Sequence, residues 1–148
     1  MKKATSTQIP IIGWREWLAL PDLRIPRIKA KVDTGARTSA LHAFWIDAYK
    51  KNNQPWIRFA IHPIQNSIET VIECDALVKD RRIVTDSGGH KQRRYVIETP
   101  VCLGAYVYAV ELTLTQRDTM KFRMLLGRTA INNRFLVDPA ASFLLGRL

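Results

Sequence analysis

One carboxylate in this chain stands where acid–base chemistry is easiest to arrange. It is Asp33, which opens the run Asp33-Thr34-Gly35-Ala36 at the end of an alternating segment. A strand would deliver the aspartate to a fixed point. Glycine lets the backbone turn sharply and lets a second chain come close. A threonine hydroxyl can hold such a loop through a local hydrogen bond. Two turns of this kind meeting about a symmetry axis would set two carboxylates within a few ångströms, where they cannot both ionise and so share a proton. One would serve as base toward a water and the other would donate to a carbonyl oxygen. Such a pair titrates as a unit. The chain has a single Asp-Thr-Gly, so this chemistry would need two copies of it. Asp-x-Gly is also ordinary turn chemistry. Three features lift the run above that reading: the alternating segment before it, the apolar Ala36, Ala40 and Leu41 after it, and Leu125-Leu126-Gly127-Arg128 near the far end, an apolar strand closed by glycine before a helix.

The elements that must position Asp33 read mostly as strands. In Arg27-Ile28-Lys29-Ala30-Lys31-Val32, the apolar Ile28, Ala30 and Val32 alternate with three cations, a period of two with one wet face. Residues 9–14 read as a first strand, and Pro10 marks it as an edge. Residues 39–49 and 56–61 continue the theme, with Ile57, Phe59 and Ile61 on one face. Residues 68–78 and 95–99 are further strands. Residues 101–115 hold a long strand or hairpin in which Tyr106, Tyr108, Val110, Leu112 and Leu114 alternate. Only residues 128–134 read as helical. Many short strands separated by turns predict an all-β barrel or sandwich. Ser87-Gly88-Gly89-His90 reads as a hairpin tip, either a movable flap or a plain surface turn. Residues 1–8 are expected to be a disordered tail, and residues 9–148 a single domain.

Twenty-three basic and 13 acidic residues leave a net charge of +10, which favours an acidic partner: nucleic acid, an anionic surface or a carboxylate-rich polypeptide. Solubility is the plain alternative. No stretch approaches eighteen apolar residues, so no membrane span is expected. Lys2 and Lys3 have no apolar run behind them and do not read as a signal peptide. With that, Cys74 and Cys102 fit reduced thiols in the cytoplasm. The only histidines, His42, His62 and His90, come without His-Glu-x-x-His or Cys-x-x-Cys, so no metal site is expected. A phosphate-binding Gly-x-x-x-x-Gly-Lys is absent too, so no ATP or other cofactor is expected. Trp14, Trp17, Trp45 and Trp56 read as core or interface anchors rather than base-stacking platforms.

The whole run from Ile25 through Asp33-Thr34-Gly35 to Ala43 resembles the signature of a small bacterial family. That family was once described as ATP-dependent zinc proteases and is now grouped with retropepsin-like aspartic peptidases. The block from Leu112 to Met120, with Leu125-Leu126-Gly127-Arg128, resembles it too, so that the likeness spans residues 9–139. The resemblance implies a closed β-barrel of retroviral-protease type with one short C-terminal helix, which dimerises to complete its site. Asp33 carries over as the catalytic aspartate, Thr34 as the loop-bracing threonine, and Gly35 as the glycine that lines the substrate backbone. Residues 87–90 fall where retropepsins carry a flap. Gly127 and Arg128 match the residues that begin the C-terminal helix. Family members are associated with an ATP-grasp ligase that adds glutamates to a ribosomal protein, which implies peptide bonds in glutamate-rich tails as the substrate.

The chain also departs from that pattern. The residues after Asp-Thr-Gly-Ala, usually acidic in viral retropepsins, are Arg37 and Thr38 here. A cation and a hydroxyl suit an anionic substrate, with Ala36 beside them. Arg128 loses its usual carboxylate, leaving Asp138 or Glu111 to serve. Residues 142–148 do not supply an obvious terminal strand to interleave in a dimer. Arginine grips carboxylates bidentately and stays charged. Arg37, Arg81, Arg82, His90, Arg93 and Arg94 are therefore candidates for holding acidic side chains. The expectation is a homodimeric aspartic peptidase acting in the cytoplasm on acidic peptides or glutamylated protein. Its rivals are a non-enzymatic basic barrel that binds RNA or a ribosomal surface, and a zinc-dependent peptidase.

Overall fold

Alternation along β3 (Ile25–Val32) explains the frame: Ile28 and Ala30 are fully buried, whereas Arg27 and Lys31 on the opposite face are exposed. The structure, a computed structural model, describes residues 8–85, 88–117 and 121–145. Residues 1–7 of the expected tail, and Ser87 of the expected hairpin tip, lie outside the described residues. Along the chain follow β1 (Ile11–Ile12), β2 (Arg15–Leu20), β3, β4 (Ser39–Ala43), β5 (Trp45–Lys51), β6 (Gln54–Ile61) and β7 (Ile72–Leu77). Then come β8 (Asp80–Thr85), β9 (Lys91–Leu103), β10 (Tyr106–Gln116), β11 (Met124–Leu126), the short helix α1 (Arg128–Ile131) and β12 (Leu136–Val137).

Six strands close on themselves in the order β10-β4-β11-β3-β2-β9, with β9 pairing back onto β10. The result is the closed all-β barrel, not the sandwich. Closure removes the free edges that an open sheet would present. The barrel is filled by one continuous core that includes Ile28, Leu41, Ile97, Leu112, Met124 and Leu126. Burying each such side chain contributes roughly 1.5–3 kcal/mol. Strand β8 hangs on the first half of β9, from Asp80↔Val96 to Thr85↔Lys91. Strands β5, β6 and β7 form a separate three-stranded sheet, and β1 pairs with β12 in parallel.

Element boundaries differ from the sequence reading for local reasons. The segment 39–49 is two strands, broken at Phe44, whose N–H turns away to the carbonyl of Ala60 at 3.0 Å. The strand expected from residue 68 begins at Ile72. Residues 101–115 are a hairpin that reverses at Gly104, where φ is +59°. The helix ends at Ile131, and Asn133 soon after adopts a left-handed φ of +65°. None of the four tryptophans belongs to the fully buried core. Trp14 and Trp17 instead lie under cations, with the Arg15 guanidinium 4.6 Å from the Trp14 ring and that of Arg27 4.3 Å from Trp17.

Of the segment 142–148, which offered no obvious strand, residues 142–145 fold back on β2 and the rest lie outside the described residues. The fully buried carboxylate of Glu16 accepts N–H groups from Gly13 (2.7 Å), Leu144 (2.9 Å) and Leu145 (3.1 Å). A buried charge is tolerable when several donors replace its water. Gly13 leaves no room for a side chain there, because a Cβ would lie 2.3 Å from the Ala141 carbonyl oxygen. Both cysteines are free thiols, and burial pushes that of Cys74 up to about 12. Among the described residues no helix is long and apolar enough to cross a membrane.

Candidate active site

Strand β3 ends with the buried Val32, and the chain leaves the barrel into a turn at Asp33. The N–H of Asp33 donates to the carbonyl of Leu126 at 2.9 Å, which ties the turn to the end of β11. Its Oδ1 accepts the N–H of Gly35 at 3.0 Å, and its carbonyl accepts that of Ala36 at 3.2 Å. Oδ2 accepts nothing among the described residues. The aspartate is half-buried, while Thr34 and Gly35 are exposed.

The segment Gly127–Thr129 straps the far side of the turn. Gly127 N–H donates to Ser39 Oγ (3.0 Å), Arg128 N–H to the Ala36 carbonyl (2.8 Å) and Thr129 N–H to the Arg37 carbonyl (3.0 Å). The two segments approach so closely that a Cβ on Gly127 would lie 2.6 Å from backbone atoms of Thr38, so only glycine fits. The sequence reading gave Arg128 a carboxylate, Asp138 or Glu111. It finds neither, and its guanidinium donates to the carbonyl of Thr34 at 3.0 Å. Glu111 is taken by other cations, and Asp138 accepts the N–H of Ala140. Thr34 thus helps hold the loop through its carbonyl, and its hydroxyl makes no bond among the described residues.

Beside the turn opens a cleft of about 910 Å³. The turn supplies Asp33, Gly35, Ala36, Arg37 and Thr38, and β4 supplies Ala40 and His42. Strand β10 and its extension supply Glu111, Thr113, Thr115 and Arg117, every second residue, which is the strand period. Residues Arg82 to Thr85 of β8 and Arg94 of β9 form the opposite wall. Four guanidinium groups, those of Arg37, Arg82, Arg94 and Arg117, therefore face two carboxylates, those of Asp33 and Glu111.

Glu111 is already neutralised. It accepts from Arg82 at 2.8 and 3.3 Å and from Lys79 at 3.0 Å. These charged donors hold its carboxyl down at about 2. Arg82 also bonds Asp80 at 2.8 Å, and the two acids push its own pKa up. Arg94 donates to Gln92 at 3.1 Å and weakly to Thr113 at 3.5 Å. Arg37 and Arg117 form no ion pair among the described residues. Thr115 Oγ1 is buried in this lining without a hydrogen-bond partner among the described residues.

The structure brings together Asp33, Gly35, Ala36, Arg37, Thr38, Arg82 and Arg94 from the residues picked out in the sequence. Three candidates for holding acidic side chains, Arg93, His90 and Arg81, lie elsewhere. Arg93 is absent from the cleft lining, as strand alternation requires of a neighbour of Arg94, and sits beside Ile46, Ala48 and Leu114 in a smaller pocket that Arg94 also borders. His90 is exposed at the end of the β8–β9 hairpin, outside the cleft lining. Arg81 stacks over the Tyr95 ring at 4.5 Å. The three histidines do not converge: His42 lines the cleft, His62 stacks on Phe44 at 4.0 Å, and His90 stands at the hairpin. Among the described residues no group of three potential metal ligands occurs. Sequence reasoning missed Arg117, Thr113 and Thr115 as cleft residues. The signal was present, because the expected alternation of Val110, Leu112 and Leu114 already assigns the odd positions of β10 to the other face.

A family model described as RimB-like, retropepsin-like aspartic endopeptidase RimB, matches residues 11–147. The chain belongs to this family. Curated relatives of the RimB-like chain include proteins named probable alpha-L-glutamate ligase. One from Shewanella halifaxensis is 51% identical over 93% of this chain, and one from Shewanella pealeana is 52% identical over 92%. The chain spans about 30% of the length of these relatives. A crystal structure of a Legionella pneumophila protein of unknown function is similar with a TM-score of 0.77 and 27% identity. That likeness covers 93% of this chain and 99% of the other.

Proposed function

We propose that this RimB-like chain is an aspartic peptidase whose site is completed by a second copy, and that it hydrolyses peptide bonds in glutamate-rich polypeptides. The observation that carries the reading is the position of Asp33: a half-buried carboxylate on a strapped turn, at the rim of a cleft whose other charges are mostly guanidinium. One oxygen of Asp33 is engaged by the Gly35 N–H, and the other is left for a water or a second carboxylate. Across a twofold axis the second Asp33 would supply the shared proton. The exposed Thr34 hydroxyl, unbonded among the described residues, suits a contact across that axis.

The pair activates a water for attack on the scissile carbonyl, and the protonated member donates to the carbonyl oxygen. The backbone N–H groups from Gly127 to Thr129 strap the turn and keep the carboxylate in place. Arg37 and Arg117, with no acid among the described residues to satisfy them, take substrate carboxylates. Each partly desolvated contact of this kind contributes roughly 1.5–3 kcal/mol. Relatives named for glutamate ligation support the choice of substrate, since a ligase of that name joins the residue that the cleft's charge selects. The unpaired cysteines fit a reducing compartment and support a cytoplasmic activity.

Asp33→Asn tests the chemistry. Cleavage of a glutamate oligopeptide should fall by at least about a thousandfold, on the scale seen when a member of a catalytic unit is removed, while thermal unfolding stays near that of the wild type. Undiminished cleavage would remove Asp33 from the reaction.

A further inference from the structure

Outside the cleft, β3 carries a row of cations that the proposed reaction does not use. Arg27, Lys29 and Lys31 point to the outer face, and register sets Arg15 of β2 opposite Lys31 and Trp17 opposite Lys29. The side chains crowd together. Arg27 and Lys29 both lie over the Trp17 ring, at 4.3 and 5.1 Å, and Arg15 lies between Trp14 and Phe143 at 4.6 and 4.9 Å. Trp17 stacks on Phe143 at 5.9 Å, so the ring faces are occupied. None of the four cations pairs with a carboxylate among the described residues. Partial burial, then the neighbouring charges of Arg15 and Arg27, hold the Lys29 ammonium below its usual range, the mark of like charges kept close without a counter-ion.

The row is continuous with the cleft. Lys31 pairs in register with Leu125 of β11, and Leu125 pairs with Ala40 of β4. Paired residues share a face of a sheet, and Leu125 and Ala40 both line the cleft. Lys31 is thus the first outward residue past the cleft on the β3 side, two residues before Asp33. From there the cations recur every second residue, about 7 Å apart, away from the turn. An extended polypeptide presents the side chains of one face at the same interval. A run of glutamates laid along β3 would match the row charge for charge.

We propose that the outer face of β3, with Arg27, Lys29, Lys31 and the adjacent Arg15, is an exosite for an acidic polypeptide that extends out of the cleft. It makes the protein prefer long glutamate-rich chains over short ones. The proposal rests on the peptidase reading for its direction along the chain, but its binding is measurable without cleavage. Occupied ring faces leave no platform for stacked bases, which favours a polypeptide over RNA.

The experiment uses Asp33→Asn protein and two fluorescent glutamate peptides, one of about four residues and one of about twelve. Arg27→Gln and Lys31→Gln together should weaken the long peptide by roughly threefold to tenfold, as expected for two exposed charge contacts. The short peptide should bind as before. Lys50→Gln with Lys51→Gln on β5, in the separate three-stranded sheet, should change neither. Equal weakening of both lengths, or of neither, would overturn the exosite. So would tighter binding of an RNA of equal charge through the same residues. The wild type separates this from failure of the peptidase reading. A protein that cleaves both lengths with the same KM has lost the exosite only. One that binds the long peptide through β3 yet cleaves nothing has lost the peptidase only.

Discussion

The Asp33 turn and the β8 wall of the cleft face each other, yet they are held by different physics. The turn is fastened by backbone hydrogen bonds to Leu126, Arg128 and Thr129, with the Gly127 N–H on the Ser39 hydroxyl, above a buried Val32. The wall's backbone hangs on the β8–β9 ladder, but its side chains are fastened by charge, through Arg82 and Lys79 on Glu111 and through Arg82 on Asp80. Backbone bonds and packing do not titrate in the working range, whereas the wall's ion pairs depend on pH and salt. The group proposed to react therefore sits on the part whose geometry is indifferent to solution conditions. The part that sorts substrates by charge is itself built from charge.

Changes on the turn side should be the most damaging. Gly127→Val forces a side chain into the Thr38 backbone. It should cost about 1–3 kcal/mol in thermal unfolding and abolish cleavage, because the strap and the turn move together. A stable, active variant would show that the close approach is not needed. On the cleft side, Arg117→Gln should leave unfolding unchanged. It should raise KM for glutamate peptides by about tenfold, the loss of one charged contact, with kcat little altered. A fall in kcat alone would assign Arg117 to the reaction rather than to binding.

Smaller effects sharpen the contrast. The Tyr108 hydroxyl donates to the Ala130 carbonyl at 2.9 Å and helps hold α1 behind the turn. Tyr108→Phe should lose roughly 0.5–1.5 kcal/mol. Burial pushes this hydroxyl up to about 12, so its contribution is present below pH 10 and is lost as pH rises toward 12. The wall should fail at the other end of the scale. Glu111 ionises at about 2 in the fold against an ordinary 4.5, so its stabilisation is complete above pH 4.5 and is lost as pH falls toward 2. Glu111→Gln should remove that acid-side slope, measured by unfolding across pH 2–5. An unchanged slope would place the acid sensitivity elsewhere.

Much of this was legible in the residues. Alternation in β3 and β10 predicted strands and even their faces, and the Asp33–Ala36 run with Leu125–Arg128 predicted the two segments that meet. Three things were hidden because they depend on long-range register. Arg128 reaches the Thr34 carbonyl, ninety-four residues away in sequence, because the strap places it there. Glu16 looks like a surface acid in Arg15-Glu16-Trp17 and is fully buried, because the chain end brings N–H groups to it. Arg93 and Arg94 are indistinguishable by composition, and only the pairing of β9 sends one into the cleft and the other away from it.

The central claim is that two Asp33 turns, one from each copy, make a single reactive pair. Mixing tests it most directly. Wild-type chain is allowed to exchange with a ninefold excess of Asp33→Asn chain, and cleavage of a glutamate peptide is measured per wild-type chain. A shared site predicts a fall to about one-tenth, because nearly every wild-type chain is then paired with an inert partner. Activity per wild-type chain that stays constant after exchange, with subunit mixing verified by differential labelling, would contradict it.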